Sequence, residues 1–194
     1  MKKVEAVYVD ARDGRPATEA PLRHGPTMPH DKLEVDAIDR AQRPARIYGR
    51  LPDGEPLSAG MREISDDEHQ AAVDLVQERR TSAHLQRLAQ IRYEREVGGV
   101  KIDGRALHTD RDSQGKIASA RAKAKEGDPP SAWKLDGGDW WDVESADAFV
   151  AVADEMFDFI DACFKHERDL SAQILNGERP DVEEGWPSAE RSTS

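Results

Sequence analysis

Between Ser65 and Val97 the chain has no glycine or proline, and apolar side chains recur at Ala72, Val73, Val76, Ala83, Leu85, Leu88 and Ile91. Charged residues such as Glu78, Arg79, Arg80, Arg92 and Arg95 fill much of the remainder. This pattern predicts one long amphipathic helix with a narrow apolar stripe. Ser65 and Glu68 stand at the spacing where hydroxyl and carboxylate reciprocally satisfy unpaired backbone donors. Asp66, Asp67 and Glu68 lie where the helix dipole favours negative charge, and Gly98-Gly99 ends the helix. The period then shortens. Val100-Lys-Ile102 and Arg105-Ala-Leu107 flank Asp103-Gly104, the pair that a type I′ turn demands, so a β-hairpin follows. Thr109 or Asp110 caps a short helix that runs through Ile117 and Ala118 to Lys125 and stops at Gly127, before Pro129-Pro130. A second hairpin joins Trp133–Leu135 to Trp140–Val143 around Asp136-Gly137-Gly138. The last helix runs from a Ser145 cap to about Asn176, with Gly177 as its stop. Its stripe is the most regular: Phe149, Ala153, Met156, Ile160 and Cys163 alternate spacings of four and three, then Leu170 and Ile174 follow. Phe157 and Phe164 are expected to widen that stripe. Long helix, β-hairpin, short helix, β-hairpin and long helix make a compact α+β domain over residues 65–177.

The flanks read differently. Val4 to Val9 loosely alternates and is rich in β-branched and aromatic side chains, the mark of a strand. After Asp10 come Pro16, Pro21, Pro26, Pro29, Pro44, Pro52 and Pro56, interleaved with Gly14, Gly25, Gly49, Gly54 and Gly60. That density breaks helices and interrupts ladders. Between them lie only short apolar pieces, Leu33-Glu-Val35 and Ile47-Tyr48. Residues 1–64 are therefore expected to be an extended Pro/Gly-rich N-terminal arm with a short strand and no core of its own, a docking arm in preference to a floppy leader. Residues 178–194 are polar, contain Pro180 and Pro187, and are expected to form a flexible tail.

Composition narrows the function classes. The 194-residue chain is 37% hydrophobic and 35% charged, so burial must be concentrated in few segments. A net charge of −11 disfavours nonspecific binding to nucleic acid or anionic lipid. No apolar run approaches the roughly 18 residues of a membrane span, and the start, Met1 to Tyr8, lacks the continuous apolar core of a secretion signal. The expectation is a protein made in a cytoplasm, which stays there or enters a particle assembled there. Cys163 is the single cysteine, so neither an intrachain disulfide nor a cysteine-based metal site is available.

Candidates for chemistry are few. His24 and His30 lie in the arm, His69 and His84 are too far apart on the first long helix to share adjacent turns, and His108 and His166 stand alone. With no HExxH or CxxC pattern, no metal site and no cofactor are expected. His108-Thr-Asp-Arg-Asp112 joins a histidine, two carboxylates and an arginine, as general acid–base catalysis requires. Thr109 and Asp110 are also what a helix start requires, and capping is the preferred reading. Cys163 falls in the core stripe and reads as a small buried hydrophobe. The glycine pairs belong to turns, without a phosphate-loop pattern. The basic stretch Arg111, Lys116, Arg121, Lys123 and Lys125 reads as a solvated helix face. Trp133, Trp140 and Trp141 fall within nine residues. Neighbours on a strand point to opposite faces, so one of Trp140 and Trp141 anchors the core, with Trp133 as cross-strand partner, and the other is a surface recognition anchor. Extended segments bind by adding a strand to a partner's sheet edge. Val4, Val7 and Val9 are thus candidate partner-binding residues beside Trp140 and Trp141, and the arm is preferred of the two.

Five pieces of the domain stand in a familiar order: Arg92-Tyr-Glu-Arg-Glu, Gly99-Val-Lys-Ile-Asp-Gly, Thr109-Asp-Arg-Asp-Ser-Gln, Trp133-Lys134 with Asp136-Gly137, and Cys163-Phe-Lys-His-Glu. With them, the stretch from about Tyr93 to Asn176 resembles a phage-associated domain family of unknown function, encoded in tail-fibre and tail-fibre-assembly regions of tailed bacteriophages and prophages. The resemblance carries no catalytic residues. It implies a non-enzymatic tail protein acting through contacts with phage tail-fibre or baseplate proteins, with self-association through its helices as a further contact. Its location would be the virion tail, or the host cytoplasm during assembly. A structural adaptor is the expected role. A transient tail-fibre assembly chaperone is the alternative, and a hydrolase using His108 to Asp112 is the competing class.

Overall fold

The structure, a computed structural model, describes residues 1–7, 32–42, 45–58 and 61–193. The chain divides into two compact units, Met1–Ser82 and Ala83–Ser194. The division falls inside the first helix, α1 (Asp66–Val97), whose first part belongs to unit 1 and whose second part belongs to unit 2.

Unit 1 contains an antiparallel sheet of β1 (Lys2–Val7), β2 (Glu34–Asp39), β3 (Arg46–Leu51) and β4 (Met61–Glu63) in the order β2-β3-β1-β4. The short apolar pieces of the sequence supply its core. Val4, Ala6, Leu33, Ala45, Ile47 and Leu51 gather in one cluster, and Ala37, Tyr48 and Ile64 pack with Val76 of α1 in another. Adjacent strand residues point to opposite faces, which is how both Ile47 and Tyr48 come to be buried. Gly49 is required: a Cβ there would stand 2.3 Å from the Glu34 carbonyl oxygen, at the bulge where the β2 register shifts. The expectation of an arm without a core over residues 1–64 is therefore corrected. Pro52 and Pro56 fall between β3 and β4 and leave the ladders intact, while the other prolines of the segment lie outside the described residues. The expected strand is found at Lys2–Val7; Val9, with residues 10–31, lies outside the described residues.

α1 starts as its sequence requires. The Ser65 hydroxyl accepts from the Glu68 amide at 3.1 Å, and the Glu68 carboxylate accepts from the Ser65 amide at 3.0 Å, which closes the capping box. Of the expected stripe, Val76, Leu88 and Ile91 are buried, while Ala83 is exposed.

Unit 2 continues through the β5–β6 hairpin (Val100–Ile102, Arg105–Leu107), α2 (Arg111–Lys125), the β7–β8 hairpin (Ala132–Lys134, Trp140–Asp142) and α3 (Ala146–Leu175). This is an α+β fold in the expected order. Asp103 and Gly104 take φ of 47° and 82°, as a type I′ turn demands. Asp110 caps α2, accepting from the amides of Asp112 and Ser113, and Ser145 caps α3, accepting from Ala148. The main core joins Val100, Ile102, Leu107 and Ile117 to Trp141, Phe149, Val152, Met156, Phe159 and Cys163. The widening of the α3 stripe differs from expectation. Val152 and Phe159 are buried, while Phe157 is half-buried and Phe164 is 40% exposed.

The stretch after Gly177 is a second correction. Val182 is buried with Leu88, Ile91, Leu170 and Ile174, and Trp186 packs beside them. β9 (Glu190–Arg191) pairs in parallel with β5, giving the sheet order β6-β5-β9. Arg191 donates to Glu155 of α3 at 2.9 Å. The expected flexible tail is part of unit 2.

Candidate functional site

Several of the residues that carry the family resemblance converge on one buried carboxylate. Glu96, at the end of α1, is fully buried. It is bound by Arg92 of the preceding turn, by Arg111 at 3.1 Å and by the Gln114 amide at 3.1 Å. Arg92 also donates to Glu167 of α3 at 3.1 Å, and its guanidinium lies 4.5 Å from the centre of the Phe164 ring. Thr109, fully buried, accepts from the Gly99 amide at 2.8 Å, and Gln114 donates to the Thr109 carbonyl at 2.7 Å. A buried charge is tolerated only when it is paired and its lone pairs are satisfied. The knot thus ties α1, α2 and α3 together, and its carboxylate is engaged by its partners.

The same geometry redistributes the His108 to Asp112 segment. Asp110 is committed to the α2 cap, and hydrogen bonds from the Ser113 hydroxyl and amide, then from Asp112, hold its carboxyl below the ordinary value. Arg111 is committed to Glu96. His108 is exposed, with Nε2 3.6 Å from Asp136. Cys163 is fully buried, and burial, then the charge of Glu96, pushes its thiol up to about 11. Such a thiol stays protonated at neutral pH.

An open surface feature lies along α2. A groove of about 960 Å³ runs between Arg111, Lys116 and Lys123 of α2 and the wall formed by Pro129, Pro130 and Trp133. The small residues Gly115, Ser119 and Ala120 line it and leave it room. A second depression of about 360 Å³ shares Lys116 and Trp133 with the groove and adds His108, Lys134 and Trp140. The β7–β8 hairpin sets the aromatic rim. Trp133 pairs across the strands with Trp141. Trp141 is 6% exposed, stacks on Phe149 at 5.7 Å, donates from Nε1 to Glu144 at 3.1 Å and receives the Arg105 guanidinium on its ring. Glu144 is held below the ordinary carboxylate value, first by its own backbone amide, then by Trp141 and Arg105. Trp140, one residue earlier, is 66% exposed. The expected division of the pair, one anchor and one surface tryptophan, is what the structure contains.

The strand residues fare differently. Val4 has no exposed surface, and β1 is hydrogen-bonded to β3 on one side and β4 on the other. With both edges occupied it cannot add to a partner's sheet, so Val4 is withdrawn as a partner-binding residue. Val7 is half-buried, and Val9 lies outside the described residues.

Two polar clusters escaped the sequence reading. His69, 5% exposed, has Nε2 3.1 Å from Asp36 without hydrogen-bond geometry, and Arg50 grips Asp36 through two nitrogens at 2.9 and 3.1 Å. Asp39, 3% exposed, accepts from Ala41, Gln42 and Arg79. His166 does not stand alone: it packs edge-on against Trp186 at 4.7 Å, with Nε2 3.0 Å from the Glu184 carbonyl. Among the described residues no group of histidine, cysteine and carboxylate side chains could hold a metal ion, and no helix is long and apolar enough to cross a membrane. His24 and His30 lie outside the described residues.

A family model described as a domain of unknown function (DUF4376) matches residues 78–185, more than half of the chain. No curated protein matches the chain, and no solved structure does.

Proposed function

The chain belongs to the family of the domain of unknown function DUF4376, and we propose that it is a non-enzymatic bacteriophage tail protein, an adaptor of the tail fibre or baseplate that works through protein–protein contacts. The tail context comes from the resemblance of the Arg92, Gly99, Thr109, Trp133 and Cys163 segments to a phage-associated family. The observation that carries the contact role is Trp140: a large aromatic side chain, 66% exposed at the rim of a groove. Tryptophan is among the residues enriched at the energetic centres of protein interfaces. Within the His108 to Asp112 segment, Asp110 serves a helix cap and Arg111 a buried knot. Partner recognition moves from the N-terminal strand to the β7–β8 hairpin.

The test uses the phage or prophage that encodes the chain. Mass spectrometry of purified particles should find the protein, and tagged full-length protein from infected cells should co-purify tail-fibre or baseplate proteins. Trp140→Ala should lose that association while keeping its circular dichroism spectrum. Absence from particles, combined with fibreless particles in a knockout, would replace the adaptor by a transient assembly chaperone. Recovery of no tail protein would overturn the reading.

A further inference from the structure

The groove of unit 2 has a charge bias opposite to that of the chain. The chain carries −11 overall, yet Arg111, Lys116, Lys123 and Lys134 line the groove and its neighbouring depression against only two carboxylates, Asp112 and Asp128. Arg111 is engaged by Glu96. Lys116, Lys123 and Lys134 are exposed and make no ion pair among the described residues. Lys116 and Lys123 stand two turns apart on one face of α2, about 10 Å along its axis. Beside and between them the small residues Gly115, Ser119 and Ala120 open the trough that faces Pro129, Pro130 and Trp133.

We propose that this groove seats an acidic peptide segment of a partner protein, with carboxylates against Lys116, Lys123 and Lys134 and a bulky apolar side chain against Trp140 and Trp133. The proposal rests on the reading of the chain as a protein-binding adaptor and names the chemistry of what it binds. Charge complementarity selects the sign of the ligand. The kind of anion follows from what surrounds the lysines. A nucleic acid strand carries a phosphate at every nucleotide and binds through many cations, whereas this groove offers three unpaired ones, inside an acidic chain and beside Asp112 and Asp128. A peptide presents separate carboxylates and can place an apolar side chain on the exposed tryptophan.

Gly115 supplies a discriminating variant. It has ordinary helical backbone conformation, and a Cβ there would meet nothing within 4 Å. Gly115→Leu therefore favours the helix while filling the trough. The full-length chain is titrated, by fluorescence anisotropy, against a labelled peptide of Glu, Asp, Leu and Ser, against its Gln/Asn counterpart, and against a single-stranded oligonucleotide of equal charge. The acidic peptide should bind, should weaken as salt rises from low to physiological levels, and should bind best of the three. Replacing Lys116, Lys123 and Lys134 together by Gln should weaken it about tenfold. Trp140→Ala and Gly115→Leu should abolish most of the binding with the fold retained. Equal binding of the neutral peptide, tighter binding of the oligonucleotide, indifference to the lysine or Gly115 changes, or no binding of the acidic peptide would each overturn the proposal. Co-purification from infected cells separates it from the adaptor reading. Loss of tail proteins with Trp140→Ala but not with the lysine variant removes only the acidic ligand. Peptide binding by a protein that recovers no tail component removes only the tail role.

Discussion

Replacing Trp141 and Trp140 by alanine, one at a time, should have very different effects on stability although the residues are neighbours. Trp141 is 6% exposed and stacks on Phe149 with 17° between the ring planes. Burying a tryptophan removes about 150–250 Å² from water, which at about 25 cal/mol per Å² sets an upper bound of about 4–6 kcal/mol. Alanine retains the β-carbon, and truncations of large buried aromatics cost about 3–5 kcal/mol. The change also removes the donor to Glu144 and the ring under Arg105, so Trp141→Ala should destabilise unit 2 by about 3–5 kcal/mol. Trp140 is 66% exposed, and among the described residues no aromatic ring or cation stacks on it. Trp140→Ala should fall within about 0.5 kcal/mol of the parent, as surface changes do. Urea denaturation of the full-length variants, followed by far-ultraviolet circular dichroism, measures both. Comparable losses, or a larger loss for Trp140→Ala, would mean that the strand phase is reversed. The rim of the groove would then be core, and the binding tests on Trp140 would lose their meaning.

Burial opposes the charge of Asp39, but hydrogen bonds from the Ala41 amide, Gln42 and Arg79 outweigh it and hold the carboxyl below its ordinary value. A depressed folded-state value contributes stability above the unfolded pKa and loses it as pH falls through the folded one. Asp39→Asn should thus cost about 1–3 kcal/mol at neutral pH in chemical denaturation, with the gap to the parent closing below about pH 4. Truncation after Gly177 should lower the melting midpoint by at least about 4 °C, the equivalent of about 1 kcal/mol in a domain of this size; an unchanged midpoint would show a free tail. The Cys163 thiol, pushed up to about 11 in a fully buried position, should resist a thiol reagent in native protein and react promptly in denaturant. Gly115→Ala should raise stability by about 0.5–1 kcal/mol in the same denaturation assay, because the conformation is helical and the space is open.

What the sequence alone determined is what acts over a few residues. Ser65 with Glu68, Asp110 and Ser145 cap helices through neighbours in the chain, Asp103-Gly104 sets its turn by backbone conformation, and the period of two parts Trp140 from Trp141. Long-range pairing decided the rest. β1 finds its partner in β3, whose register joins Lys2 to Leu51, and no periodicity within either segment announces that match. Pro52 and Pro56 read as breakers, because their positions relative to the ends of β3 and β4 depend on the pairing. Val182 and Trp186 lie in the polar C-terminal stretch, and their burial depends on Leu88, Ile91, Leu170 and Ile174 from two distant helices. The burial of Glu96 could not be read either, since a charge at a helix end is ordinarily solvated, and Arg92 in its own helix compensates it together with Arg111 and Gln114, which α2 brings from a distance. The candidate site follows the same rule. Trp140 was legible from alternation, while Lys116 and Lys123 read as a solvated face, because a groove exists only where α2 comes beside Pro129, Pro130 and the β7–β8 hairpin.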